Sequence, residues 1–378
     1  MKIIVEQSAL AKATARVSSI VERRNTIPIL SNLLIDASYP GEVWLLGTDL
    51  DMEIRTRLEA QIETEGQTTV GANALGEIAR NAPKGSEISI TLDDAKDPRL
   101  QVRFGRSRYQ LPVLLAGDFP IFSTQKQPTE LSIPAAELAV LLARIHFAQS
   151  TEETRYYLNG AYLTKASVSG APVLRMVATD GHRLALDECS TPASDPMPGV
   201  IIPRKTIGEF RRLLDGLAGS VILRVSTASV VFEADGVRLT SKVIDGAYPD
   251  YERVIPRDWK HQIVLERDAL RLAVKRVSLI SAEKTRPVKL AISGGVLTLI
   301  VRNMEAGEAR EEIEIEDEGL EFETGINARY ILDALDQTEG RQVVLRLPED
   351  NTSPCRLDPH PSDSTATGAL CVLMPLRV

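Results

Sequence analysis

The sequence repeats itself, and this limits its possible folds more than any other feature. Gly47-Thr48-Asp49-Leu50-Asp51-Met52-Glu53-Ile54 returns about 130 residues later as Ala178-Thr179-Asp180-Gly181-His182-Arg183-Leu184-Ala185. In both places a Thr-Asp turn leads into a run with apolar residues at alternate positions. Such alternation puts one set of side chains on each face of a sheet. The same step relates Leu10, Leu138 and Leu270, each of which follows a short strand and opens an amphipathic helix. The apolar stripes are Leu10, Ala13, Val17 and Ile20; Leu138, Leu141, Leu142 and Ile145; and Leu270, Ala273, Val274 and Val277.

Second helices recur at Leu75-Gly76-Glu77-Ile78, Ile207-Gly208-Glu209-Phe210 and Tyr330-Ile331-Leu332-Asp333, each followed by strand-like alternation. Copies one and two close on Gly117-Asp118-Phe119-Pro120 and Gly246-Ala247-Tyr248-Pro249, and the third on the terminus itself. The chain therefore reads as three units of about 125 residues, each with two helices and about eight strands. Their expected bounds are 1–126, 127–254 and 255–378. Two helices cannot cover both faces of such a sheet, so the predicted class is α+β with the helices layered on one face. Short links near 125–131 and 254–259 predict rigid domains in a row. The stretch 349–368, rich in Pro, Ser, Thr and Asp, reads as a loop excursion within the third unit.

Composition removes several classes of function. The 378 residues carry a net charge of −8, so the chain as a whole does not advertise a nucleic-acid partner. Its three cysteines and four histidines are scattered, giving neither a disulfide framework nor a metal-ligand spacing. No cofactor or metal is expected. The start Met1-Lys2-Ile3-Ile4-Val5 turns polar too soon for a signal peptide, and no apolar run approaches the roughly 20 residues of a membrane span. A cytoplasmic protein without a membrane partner is the expectation.

Asp49, Asp51, Asp180 and His182 invite a catalytic reading. However, the nucleophile elbow, the phosphate loop and the dinucleotide fingerprint are all missing from the sequence. The plainer reading is a pair of turns in which each aspartate bonds its own backbone. A metal-dependent or Asp/His hydrolase centred on Asp180 and His182 stands as the rival to a non-enzymatic protein.

Six residues beyond each anchoring leucine stand Arg16, Arg144 and Arg276. On a helix that offset is about 600°, which places each arginine beside the apolar stripe. Lys12, Lys275, Arg80, Arg211 and Arg212 add to them, while Asp333 and Asp336 break the pattern on the last helix. Either these are solvated faces with snorkelling arginines, or they form a basic inner wall for a phosphate backbone, with acid segregated elsewhere, as at 305–321.

Longer segments carry a resemblance. Thr26-Ile27-Pro28-Ile29-Leu30-Ser31-Asn32-Leu33, Arg155-Tyr156-Tyr157-Leu158-Asn159-Gly160, the 178–184 turn, Gly246-Ala247-Tyr248-Pro249-Asp250-Tyr251 and the ending Val372-Leu373-Met374-Pro375-Leu376-Arg377-Val378 stand in order on the threefold repeat. Together they resemble the bacterial DNA polymerase III beta subunits, the sliding clamps. The resemblance implies the DNA clamp fold: three pseudo-symmetric repeats, helices on the inner face, sheets outside, and a head-to-tail homodimer closing a ring on double-stranded DNA without sequence specificity. The implied partners are the replicative DNA polymerase catalytic subunit, a clamp loader, and repair polymerases and mismatch-repair proteins carrying clamp-binding peptides. By family position the dimer interface takes Tyr109, Leu279 and Ile280, and the DNA contacts are Arg24, Arg80, Lys205, Lys284 and Arg286. The helix reading adds Arg144, Gln149, Arg211 and Arg276 to the DNA contacts. The implied partner-peptide pocket takes Leu158, Thr179, Gly181, His182, Arg183, Leu184, Pro249, Arg253, Val254, Asn327, Tyr330, Pro354, Val372, Leu373, Met374, Pro375, Leu376 and Arg377. An apolar carboxyl terminus is unusual, since termini ordinarily fray, and it must pack as a strand. Its groove, rimmed by Arg183, Arg253 and Arg377, suits a short peptide with hydrophobic anchors and an acidic or amide group.

Overall fold

A computed structural model of the chain describes residues 1–22, 25–93, 96–123, 128–190, 197–281, 287–362 and 369–376. Its α-helices are α1 (Gln7–Ser18), α2 (Ala72–Asn81), α3 (Ala135–Ile145), α4 (Arg204–Leu214), α5 (Arg267–Val277) and α6 (Ala328–Gln337). Local chemistry starts them. The Glu6 carboxylate accepts from the Ser8 and Ala9 amides at 2.8 and 3.1 Å, and the Asn327 side chain accepts from the Arg329 amide at 2.9 Å. The three leucine stripes are buried as their periodicity requires; Ile20 lies past the end of α1 but is buried with the rest.

The strands form four antiparallel sheets, and two of these cross from one repeat into the next. At the first junction Met52–Leu58 pairs with Val237–Lys242, matching Ile54 with Leu239. At the second, Arg183–Cys189 pairs with Leu370–Leu373, matching Leu184 with Val372. Compactness follows these shared sheets, so the chain gathers into two units. One holds 1–135 and 212–243, and the other holds 136–193, 197–211 and 244–378. The second repeat is divided between them because its strands belong to two different sheets, whereas the repeat pattern alone suggests separate domains in a row.

One link is shorter than expected, and one segment expected to be a loop is not. The strand expected before Leu138 is Thr129–Pro134, paired with Ser220–Val225 with Leu131 buried, and it takes in the last residues of the 125–131 link; residues 124–127 lie outside the described set. Within 349–368, Cys355–Pro359 is a strand between Gln342–Leu347 and Leu370–Leu373. Cys355 and Leu357 are in the third repeat's core.

Candidate functional site

The 179–183 turn is built by its own side chains. The Thr179 hydroxyl donates to the Arg183 carbonyl at 2.7 Å and accepts from the Gly181 amide at 3.1 Å. Asp180 Oδ1 accepts from the His182 and Arg183 amides at 2.9 and 3.0 Å. Gly181 has φ +87°, the left-handed region that glycine enters without strain, whereas Leu50 holds the equivalent position of the first turn at φ +76°. Thr48 and Asp49 make the same bonds at 48–52, where Asp49 Oδ1 accepts from the Asp51 and Met52 amides. The repeated motif is thus a repeated turn. Its carboxylates are engaged in structure: Asp180 Oδ2 holds Arg183 Nε at 3.0 Å, and Asp51 faces Lys242 at 3.2 Å. Asp180 thus has a structural role that the hydrolase reading does not need. Among the described residues no group of His, Cys, Asp and Glu side chains is arranged to hold a metal. The thiols of Cys355 and Cys371 are pushed up by burial to about 12, which makes them poor nucleophiles.

From this turn the strand Arg183–Cys189 alternates. Leu184 and Leu186 join Val177 and Val372 on one face, where Tyr248, Tyr251, Ile255 and Leu370 pack against them. Tyr248 stacks on Tyr162 at 4.9 Å, its hydroxyl reaches the Val177 carbonyl at 3.3 Å, and burial pushes its phenol above the ordinary range. Arg175 holds the link against the sheet by bonding Glu188 at 2.7 Å, Glu252 at 2.8 Å and the Tyr251 hydroxyl at 3.3 Å. The tail is pinned at two points: Met374 N donates to the His182 carbonyl at 3.0 Å, and Leu376 N to the Gly325 carbonyl at 2.7 Å.

The expected pocket residues sort by exposure. Leu158, Leu184 and Val372 are buried; Thr179, Tyr330, Pro354, Met374, Pro375 and Leu376 are half-buried; Gly181, His182, Pro249, Arg253 and Val254 are exposed. Arg377 lies outside the described residues. Three expectations need correcting. Leu373 points to the opposite face, into the third repeat's core beside Cys371, because strand alternation allows only every second tail residue to reach the groove. Asn327 is engaged as the cap of α6. Arg183 is not a free rim cation: it is 8% exposed, bonded to Asp180, Asp333 and the Phe147 carbonyl, and held over the rings of Phe147 and Tyr330. Phe147, Tyr162, Arg175 and Asp333 carry no sequence signal for these roles, since none sits in a repeated motif with a repeated role.

The basic helix positions have separate fates. Arg80 and Arg276 are exposed, the first against Glu77 and the second held by both oxygens of Glu311 at 2.6 and 2.9 Å. Lys205 is exposed, and Arg211 is half-buried with burial pushing its pKa down. Arg24, Lys284 and Arg286 lie outside the described residues. Arg144 does not fit a phosphate contact: its side chain is 9% exposed and bridges Asp187 at 3.0 Å and Glu339 at 2.9 Å. Nor does Gln149, which is 4% exposed, with both polar atoms of its carboxamide lacking a hydrogen-bond partner among the described residues.

Two sheet edges carry or adjoin the residues expected at a dimer interface. Ser107–Pro112, with Tyr109 38% exposed, borders the five-stranded sheet and carries Arg108 beside Arg106. Gly307–Glu314 borders the four-stranded sheet and carries Glu308, Glu311, Glu312 and Glu314. Beside the acidic edge Leu279 is 78% exposed, whereas Ile280 packs onto the core.

Comparison with known proteins accords with this geometry. Models of the DNA polymerase III beta subunit's N-terminal, central and C-terminal domains match residues 1–123, 132–250 and 252–377. A beta sliding clamp of Caulobacter vibrioides is 49% identical over 379 residues, and that of Escherichia coli is 35% identical over 381, each match covering all of both chains. Among solved structures, a Caulobacter crescentus beta sliding clamp with bound PEG superposes with a TM-score of 0.95 at 50% identity, covering 100% of this chain and 99% of that one. A Bartonella birtlesii sliding clamp bound to griselimycin gives 0.93 at 40% identity, with both chains fully covered.

Proposed function

This chain belongs to the DNA polymerase III beta subunit family, the bacterial sliding clamps, and from that premise we propose how its own residues close the ring, hold DNA and receive partners. The protein is a non-catalytic processivity factor: a homodimeric ring on duplex DNA that tethers a polymerase. Phosphate contacts are individually weak and blind to sequence, so the ring slides, and it leaves only by opening. A polymerase docked on it stays at high effective concentration near the primer end.

The observation that carries this reading is the pairing of edge strands. In every repeat the strand after the second hairpin, and the last strand, are potential edges. Met52–Leu58 takes Val237–Lys242, and Arg183–Cys189 takes Leu370–Leu373. The two equivalents left over are the basic Ser107–Pro112 and the acidic Gly307–Glu314, each at the border of its sheet. An unpaired edge is a template for another strand, and opposite charges select which one. A second copy joining basic edge to acidic edge, twice, gives a heterologous contact that closes. Tyr109 and Leu279 sit at these edges as the apolar contacts. Arg80, Lys205, Arg211 and Arg276 are the described candidates for phosphate contact, beside the family positions Arg24, Lys284 and Arg286, and the apolar face around Leu184 and Val372 receives partner peptides.

Light scattering, paired with retention on circular and linearised duplex DNA, tests the reading. A dimer retained on circles and lost from linear ends is expected. A monomer, or equal retention on both, would refute encirclement.

A further inference from the structure

We propose that Asp333, on the helix side of the sheet, is a positioning residue for the peptide groove and acts through Arg183. The inference rests on the groove reading above. It accounts for one of the two acidic residues, Asp333 and Asp336, that interrupt the basic pattern of the second helices.

The strand Arg183–Cys189 has two working faces. Leu184 and Leu186 look into the groove. Arg183 and Asp187 look the other way, and each is bound by a helix: Arg183 Nη1 donates to Asp333 of α6 at 2.6 Å, and Asp187 accepts from Arg144 of α3 at 3.0 Å. Arg183 has no slack. Its Nε donates to Asp180 Oδ2 at 3.0 Å, its Nη2 donates to the Phe147 carbonyl at 2.6 Å, and its plane lies 4.4 Å from the Tyr330 ring centre. A guanidinium fixed in this way behaves as a rigid bracket, because its donors are set in one plane.

The bracket determines where the groove wall stands. Asp180, which Arg183 holds, also forms the turn that aims the His182 carbonyl at Met374 N. One residue later, Leu184 pairs with Val372. Aligning Arg183 therefore aligns both the turn and the tail on the groove side. Asp333 contributes the carboxylate on the far side of that bracket, along with a weaker contact to Arg329 at 3.7 Å. Without its charge, a buried arginine keeps only Asp180 as a carboxylate partner and is drawn towards it, which twists the turn and loosens the Met374 tether. Asp333 bonds Arg183 and Arg329 and is not part of the apolar cluster of Leu184 and Val372, so its effect on anchors held there is transmitted through Arg183.

The test uses full-length Asp333→Asn, Asp333→Glu, Arg183→Ala and the Asp333→Asn/Arg183→Ala double variant. Light scattering first checks that each assembles like the wild type. A fluorescein-labelled pentapeptide with leucine and phenylalanine anchors and one glutamine reports binding by anisotropy. Hydrogen exchange of the Met374 amide reports the tether with no peptide present. Asp333→Asn is expected to weaken peptide binding on the order of tenfold, within the usual range for coupled sites, and to speed Met374 exchange. Asp333→Glu should restore most of both, and the double variant should bind no worse than Arg183→Ala alone. Wild-type affinity together with unchanged exchange in Asp333→Asn overturns the proposal, and so does an additive double variant. If the wild-type chain binds no such peptide, the groove reading fails, and Met374 exchange by itself decides whether Asp333 positions the tail.

Discussion

Truncating Arg144 separates its two possible roles, as a phosphate contact or as a structural ion pair. Its partner Asp187 has a side chain 2% exposed, and burial pushes that carboxyl above its usual range while Arg144 pulls it back down. The second partner, Glu339, is 48% exposed and is screened by solvent, so little is assigned to it. Arg144→Ala leaves Asp187 as an uncompensated buried charge, a change that costs about 3–5 kcal/mol when one member of a buried pair is removed. In a cooperative unit of this size that lowers the midpoint by roughly 6–20 °C.

The pH dependence has a definite sign. A carboxyl whose folded pKa is raised binds more protons folded than unfolded, so stability falls as pH rises between the unfolded and folded values. Removing Arg144 takes away what lowered Asp187 and extends that window upward. Thermal unfolding of Arg144→Ala should therefore show its largest deficit near neutrality and a smaller one as the pH is lowered towards the raised Asp187 value. Asp187→Asn in the same background should recover part of the loss. A variant as stable as the wild type, with weaker DNA retention and a reduced salt slope, would refute this account and return Arg144 to the inner wall.

Three further outcomes follow from the same geometry. Leu279→Asp should yield monomers in light scattering at micromolar concentration while leaving the far-ultraviolet spectrum intact, because it sets a carboxylate where the proposed interface has an exposed apolar contact. Arg80→Ala with Arg211→Ala should flatten the dependence of DNA retention on log salt by about 0.9 for each phosphate no longer neutralised, with no change in sequence preference. Glu53 is 4% exposed, burial raises its pKa, and Oε2 accepts from the Phe122 amide at 3.0 Å. Glu53→Gln should be near neutral or mildly stabilising at pH 8, whereas Glu53→Ala leaves that amide unbonded and should cost about 1–3 kcal/mol in chemical unfolding.

Much of this molecule is legible in its sequence because evolution wrote it three times. The turn bonds of Thr48 and Asp49 recur at Thr179 and Asp180, and such local hydrogen bonds follow directly from residue type. The buried stripes of α1, α3 and α5 are equally local. What escaped depends on partners distant in the chain. The strand Cys355–Pro359 lies in a polar segment, and its buried Asp358 is held there by Arg346 at 2.6 Å and Arg356 at 2.7 Å, with Trp259 over both guanidiniums. The alternation is there in Cys355 and Leu357, but it is only two residues long, and the opposite face is held by ion pairs that mimic a polar loop in the sequence. Arg16, Arg144 and Arg276 share a helical position, but their roles diverge with whatever faces them: exposed Asp235, buried Asp187 and half-buried Glu311.

The repeats also predict how many peptides the chain takes. Aligning Thr48 with Thr179 sets Glu53 opposite Leu184 and Arg55 opposite Leu186. At the second junction the cross-strand pairs on the groove face are Leu184 with Val372 and Leu186 with Leu370, an apolar floor. At the first they are Glu53 with Thr240 and Arg55 with Arg238. The link crossing each junction differs accordingly: Tyr248 and Tyr251 lie on the apolar floor, whereas the Phe122 backbone is bonded to the Glu53 carboxylate. Hydrophobic anchors entering the first junction would have to bury the half-exposed guanidiniums of Arg55 and Arg238 beside the already buried Glu53, at a cost in desolvation that the apolar floor of the second junction does not impose. Titration of the anchored pentapeptide should therefore saturate at one per chain, two per dimer, by calorimetry or native mass spectrometry. Saturation at two per chain with similar affinity would show that apolar pairing at the junction is not what makes the groove.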